Sequence, residues 1–382
     1  MGSSSAGAGT SGNGQGAGGT SVRREANTDQ TPVAARVALL VFGVCVVAAC
    51  NGAGFDTPGN TGPYPYTDVP APPNGVAQFT VLPTAIDSGF TLTALGNLNP
   101  PGHTVPTDHV YFYAWDLATN AQTGGSGTRT VYMPATGAVT FLLQTPGVGD
   151  WKIECRVTDN FFFYLDHVLL TTPLTIGEVL PAGAAIGTTD PGGTLDLGAF
   201  DLSVTHAGFL DTARYPVETQ HYLSPWAYFT PDLQAQIYPH VYRAPTAADK
   251  DGKVDFDVAG RLVGVWYLQG MPADSSYEPY GWPRTIAFVY DYYDPSLVRI
   301  AVGGTVGPAG VWGIDSTAPP PKTVSVASGV VTYRLYDIFD WHPQQGVMLV
   351  QMVNDSTLKV EMFPGNLGST AEFDGNAFTF VR

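Results

Sequence analysis

The sequence predicts an all-β protein: a first β region of barrel or sandwich type, a short helical linker, then a second antiparallel β-barrel or sandwich. Three observations predict it. Gly (45) and Pro (31) punctuate the 382 residues and leave few long stretches free for helices. Between those breaks recur short runs rich in Val, Thr, Tyr and Phe, the residues that suit a pleated surface. Hydrophobic residues make up 44% of the chain and aromatics 12%, enough for sizeable cores, while charged residues reach only 13%, against about a quarter in an average soluble protein. The net charge of −16 repels nucleic-acid phosphates, and no basic stripe offsets it. Nucleic acid is therefore not expected as a partner.

The chain opens with a segment, residues 1–49, that reads as a removable signal peptide with a Gly/Ser/Ala-rich, low-complexity start. Such a tract cannot build a core, and translation starting near Val22, just before Arg23-Arg24, stays open. Val37–Ala49 is apolar, uncharged and preceded by Arg36. That is the length of a signal-peptide core, whereas a spanning helix needs roughly 20 residues. The run ends in Val47-Ala48-Ala49-Cys50, which resembles the lipobox of bacterial lipoproteins. The resemblance implies cleavage before Cys50, a lipid on its thiol, and a protein anchored to a membrane of the cell envelope. Asn51 after the cysteine, in place of Asp, implies the outer membrane or cell surface if the cell is Gram-negative. A plain secretory signal or an N-terminal membrane helix is the alternative. Residues 50–75, rich in Gly and Pro, read as a tether. With Cys45 in the leader and Cys50 acylated, Cys155 is left alone, so no intramolecular disulfide is expected.

Residues 76–205 carry strand-like runs at Ala77–Leu82, His109–Trp115, Thr128–Met133, Ala138–Gln144, Trp151–Asp159 and Phe161–Leu165. Turns at Asn120–Gly125, Pro146–Gly149 and Asp190–Gly193 separate them. Four segments then follow in order: Gly102-His103 through Asp108-His109; Met133-Pro134-Ala135-Thr136-Gly137-Ala138-Val139; Tyr164-Leu165-Asp166-His167-Val168; and Gly177 through Ile186-Gly187. Together these resemble the barrel of lysostaphin-type zinc metallopeptidases. In that family a His and an Asp four positions apart bind zinc with the second His of a His-x-His strand, and a further His polarises the reacting carbonyl or its water. The resemblance assigns metal-ligand places to His103 and Asp108, here five apart, and the polarising, catalytic place to His167. The strand Leu195–Asp201 stands where His-x-His belongs and contains no histidine, with Asp196 or Asp201 as the oxygen donors open to replace it. Zinc normally takes three protein ligands and keeps a fourth position open. A structural reading stays beside this one: Asp108 capping a turn and the histidines satisfied by backbone carbonyls.

Residues 206–252 break the strand rhythm and read as a linker. Thr230–Tyr238 predicts a short helix with Thr230 as cap and Pro231 in the first turn. His206, His221 and His240 have no metal spacing. From 253 to 382 the β pattern resumes, with strands expected at Val254–Val258, Leu262–Leu268, Thr285–Tyr292, Val298–Val302, Val324–Ala327, Val330–Tyr336, Val347–Val353 and Leu358–Phe363. Gly264-Val265-Trp266 resembles the Gly-x-Trp of lipocalins, with the Trp as a core anchor. Asp255, Asp257 and Arg261 read as a salt-bridged corner, and no complete calcium loop is present.

The expectation from sequence is a cell-envelope lipoprotein, anchored to the membrane through Cys50, that acts as a non-enzymatic binding or scaffolding module towards cell wall (peptidoglycan) or another envelope component. The expected cofactor is none, or weakly bound zinc. Two alternatives stay open. One is a zinc-dependent hydrolase of the lysostaphin type with altered ligands. The other is a small-ligand carrier using the C-terminal barrel.

Overall fold

The computed structural model describes residues 68–87, 90–114, 127–145, 147–272, 282–338, 344–365 and 371–382. The leader 1–49, Cys50, the tether up to residue 67 and the turn at Asn120–Gly125 lie outside the described residues. All described residues belong to one unit, Val44–Arg382.

The first region is a sheet. Its strands are β1 (Thr91–Thr93), β2 (His109–Tyr113), β3 (Thr130–Tyr132), β4 (Gly137–Gln144), β5 (Trp151–Arg156), β6 (Phe161–Leu170), β7 (Val179–Leu180), β8 (Ala185–Thr188), β9 (Leu195–Asp201), β10 (Tyr222–Leu223) and β11 (Val241–Tyr242). The main order is β11-β1-β2-β9-β6-β5-β4-β7, with β3, β8 and β10 attached at its sides. β10 and β11 come from residues 206–252, so this segment completes the first sheet. The expected helix is α2 (Pro231–Ile237), preceded by the single turn α1 (Val217–Gln220).

Strict alternation of side chains explains the two faces of this sheet. Phe161, Phe163 and Leu165 of β6, with Leu195, Leu197 and Ala199 of β9 and Val110 and Phe112 of β2, enter one large core. Each fully buried Phe or Leu there contributes roughly 1.5–3 kcal/mol of transfer free energy. Cys155 of β5 is free and buried in the same core.

The second region is a closed antiparallel barrel of eight strands. They are β12 (Gly264–Leu268), β13 (Thr285–Tyr290), β14 (Val298–Val302), β15 (Gly310–Ile314), β16 (Val330–Asp337), β17 (Gln344–Asn354), β18 (Thr357–Pro364) and β19 (Phe378–Val381). Trp266, Phe288, Tyr333, Met348 and Phe380 fill it, all fully buried, as an eight-stranded barrel permits. The opposite residues of the same strands, Val265, Tyr267, Ala287, Val289 and Ala301, pack into the core of the first region. One apolar core thus continues from the sheet onto the outer wall of the barrel.

Several expected elements take other forms. Ala77–Leu82 makes only a single parallel bridge, Phe79 to Phe229. Val254–Val258 is no strand: its backbone bonds locally and to the preceding segment, Phe256 N–H donating to Val254 and Asp257 N–H to Gly208, while the Asp257 carboxylate accepts from Leu210 N–H and Val265 N–H. Val324–Ala327 gives way to a 3₁₀ turn at Val326–Ser328, closed by a capping box from Ser325 and Ser328. The missing barrel strands are β15 and β19, the first masked in sequence by Gly310 and Gly313. The expected Asp255–Asp257–Arg261 corner is partnered differently. Asp255 pairs with Lys253, and Asp257 with Arg382, whose guanidinium lies 3.9 Å over the Trp266 ring. Arg261 contributes its carbonyl, which accepts from Arg382.

Candidate functional site

The polar chemistry of the first region lies on the face of the sheet opposite its core. His109 and Tyr111 of β2, Asp196 and Gly198 of β9, and Tyr164 and Asp166 of β6 project there by alternation. The registers set them in two rows: His109, Gly198 and Tyr164 in one, Tyr111, Asp196 and Asp166 in the next. β5 adds Lys152 and Glu154, with Glu154 opposite Tyr164.

Gly198 decides the first row. A Cβ built there would stand 2.1 Å from Cε1 and Cζ of Tyr164. The phenol ring therefore lies across β9 in the space that any side chain at 198 would need. Its hydroxyl donates to Asp108 Oδ1 at 2.7 Å. The hydroxyl of Thr219 donates to Asp108 Oδ2, and His109 Nδ1 lies 3.1 Å from Asp108 Oδ1. Burial alone would raise the Asp108 pKa. The contacts from His109, Thr219 and Tyr164 outweigh it and hold the carboxyl well below the usual carboxylate range. Burial and the Asp108 charge push the Tyr164 phenol well above its ordinary value.

His167 sits at the far end of the second row, with a backbone φ of 66°, an uncommon conformation for a residue with a side chain. The Asp166 carboxylate accepts its N–H at 2.8 Å and supports that turn. Its Nδ1–H donates to Asp150 at 2.7 Å, and its Nε2 lies 3.5 Å from Asp196 Oδ2. From the other side, His109 Nε2 lies 3.4 Å from the same Asp196 oxygen and 2.9 Å from the Tyr111 hydroxyl. Burial disfavours charge on His167, but Asp166, Asp196 and Asp150 outweigh it and lift its pKa to about 10. Asp196 is pushed up to about 6 by burial and by the neighbouring Asp166 and Asp150, against the pull of His167 and His109. At neutral pH His167 is an imidazolium between ionised carboxylates. It cannot accept a proton there, and both of its ring N–H groups face carboxylates.

His103 is half-buried at the edge of the cluster, bridged to Asn99, with its ring 5.4 Å from His109 and 5.8 Å from Trp282. Burial and the nearby His109 push its pKa down to about 3, so it is neutral. Lys152 rests its ammonium 4.1 Å over the Tyr164 ring and 3.4 Å from Glu218. Burial and the Glu218 charge push the Glu154 pKa well above the ordinary carboxylate range.

Of the residues singled out in the sequence, Asp108 and His167 thus belong to one hydrogen-bonded network, linked through His109 and Asp196, and His103 flanks it. Asp196, weighed as an oxygen donor, is at its centre; Asp201 is not in it and caps a surface turn through Ser203. His109 and Tyr164 stood in the quoted segments without an assigned role, and Asp150, Tyr111, Lys152 and Glu154 were not anticipated. The His-x-Tyr-x-Tyr alternation of β2 could have pointed from His109 to Tyr111. Asp150 lies at a hairpin base with no local signal.

The resemblance to zinc metallopeptidases implies a metal here, and the residues present do not fit one. Asp108 is engaged by three protein groups, β9 carries no histidine where the third ligand belongs, and its Gly198 lies under the Tyr164 ring. Among the described residues no group of three or more His, Cys, Asp or Glu is arranged to hold a metal ion.

No family model and no curated protein matches the chain. Among solved structures, Csd3 of Helicobacter pylori is similar at 16% identity and a TM-score of 0.27, over 41% of this chain and 35% of that one. The chain thus spans about a third of that protein's length. The catalytic domain of the prophage-encoded M23 protein EnpA from Enterococcus faecalis, as its A109H mutant, is similar at 15% identity and a TM-score of 0.24, over 37% and 92%. Lysostaphin is similar at 12% identity and a TM-score of 0.25, over 76% and 87%. At such scores these likenesses carry no activity over to this chain.

Proposed function

We propose that the chain is a cell-envelope lipoprotein, anchored through Cys50, whose first β region is a binding or scaffolding module for cell wall and not a hydrolase. One observation carries the non-enzymatic part: the Tyr164 ring covers Gly198 and seals Asp108 under its hydroxyl. A zinc hydrolase needs an open coordination position and a water that a base can deprotonate. Here the carboxylate is saturated by protein donors, and the histidine best placed to act is already charged and held from both sides. The ligand-carrier alternative has less support, because aromatic and methionine side chains fill the C-terminal barrel.

The test is elemental analysis of protein purified without a His-tag, paired with a muropeptide-release assay and retention on isolated sacculi. The reading expects zinc far below one per chain, no release, and retention. One tightly held zinc per chain, with release abolished by His103→Ala and by His167→Ala, would overturn it. Lipidation is checked separately: Cys50→Ala should leave an unprocessed precursor that takes up no labelled fatty acid.

A further inference from the structure

Beside the network around Asp108, three ionisable side chains are buried together without close partners. Lys152 and Glu154 stand two residues apart on one face of β5, and Glu218 approaches Lys152 from α1. The side chains of Lys152 and Glu218 are 21% and 8% exposed, and Glu154 is 1% exposed. The Lys152 ammonium lies 3.4 Å from Glu218 Oε1, whereas a well-formed ammonium–carboxylate bond spans about 2.7–2.9 Å. Its other near neighbour is the face of the Tyr164 ring, 4.1 Å away. Neither oxygen of Glu154 has a hydrogen-bond partner among the described residues. Attraction in a buried ion pair offsets desolvation only when the contact is close and the remaining polar atoms are satisfied. This pair is long, and the carboxylate beside it is unsatisfied.

We propose that Lys152 and Glu218 are the two halves of an intramolecular isopeptide bond, formed in the folded chain with Glu154 as the proton carrier. Nζ stands 3.4 Å from Oε1, and the carboxyl carbon Cδ is one bond beyond that oxygen. Reacting atoms held roughly 3–3.5 Å apart react as one molecule, without the entropic cost of encounter. Glu154 takes a proton from the Nζ ammonium, and the freed nitrogen lone pair adds to Cδ of Glu218. The Nζ–Cδ bond forms, and one Cδ–O bond then breaks. The departing oxygen leaves as water, carrying the proton returned by Glu154 and a second proton from the nitrogen. Ammonium and carboxylate thus become one amide and one water, with no oxidant or further reactant. Two poorly partnered buried charges disappear, which favours the product. The bond ties α1 to β5 across 66 residues of chain. Through Thr219, next to Glu218, it also fixes the cover over Asp108. The cross-link does not depend on what the first region binds.

Tryptic digestion of the purified full chain, unfolded beforehand, tests it by mass spectrometry. Trypsin cannot cut after an acylated lysine. The digest should therefore hold a branched product, Thr130–Arg156 joined to Tyr215–Arg243, lighter than the two peptides together by one water. Fragment ions should place the join at Lys152 and Glu218. Recovery of Thr130–Lys152 and Tyr215–Arg243 as separate, unmodified peptides would overturn the cross-link. Lys152→Arg keeps the charge but cannot condense, and should abolish the branched product; its persistence would place the join elsewhere and refute the assignment. Glu154→Gln cannot carry the proton and should slow linkage by roughly a hundredfold or more. Full linkage in that variant, with tryptophan fluorescence like that of the unmodified protein, would refute the role of Glu154. Should either variant fail to fold, the digest of the unmodified chain still decides whether the bond exists.

Discussion

Gly198 and Tyr164 give a sharp test of how this site is built. Gly198→Ala places a methyl group 2.1 Å from two ring carbons of Tyr164, where contact distances begin near 3.4 Å. The ring cannot swing freely, because its hydroxyl is bonded to Asp108 and the Lys152 ammonium rests on its face. Overpacking of this kind costs about 1–3 kcal/mol, and a pinned aromatic belongs at the upper end. Ordinary strand energetics run the other way, since Ala is favoured over Gly by about 0.5–1 kcal/mol. Tyr164→Ala alone should cost roughly 3–5 kcal/mol through the cavity and the lost acceptor pairing. In that background, however, Gly198→Ala should be neutral or slightly stabilising. Urea unfolding of the four proteins, followed by tryptophan fluorescence, gives the coupling energy, expected at about 2–3 kcal/mol. A cost below about 0.5 kcal/mol for Gly198→Ala alone, or an equal cost with and without the Tyr164 ring, would refute the claim that the ring occupies this space.

Arg382→Met should destabilise the barrel by roughly 3–5 kcal/mol, because it strands the buried Asp257 charge, with side chains 1% and 2% exposed in the pair; a urea midpoint close to wild type would contradict this. The pH dependence follows from His167, whose folded pKa of about 10 lies above its ordinary 6.5. Between those values the native state binds the extra proton, so its contribution is complete below about pH 6.5 and is lost as pH rises through 10. His167→Gln should therefore flatten the decline of unfolding free energy between pH 7 and pH 10, and an unchanged slope would count against the charged network.

What the sequence by itself determined is the class of fold and the material of the two β regions. Local alternation, turn residues and apolar runs name strands without reference to neighbours, which is why most of β2, β4–β6, β13, β14 and β16–β18 are legible. The same logic failed where local and loop hydrogen bonds took the place of a ladder, at Val254–Val258, and where glycines hid a strand, at β15. The site was half legible. His103, Asp108 and His167 stood out as polar residues in order along the chain. Only tertiary structure decided that Asp108 is sealed by Thr219 from 111 residues away and that Asp150 holds His167 from across a hairpin. It also decided that Tyr164 takes the side-chain space of Gly198. The physical reason is that periodicity tells which face a residue takes, whereas cross-strand register tells which residues meet on it. Register here is set by the whole sheet, through the core packed on its other side.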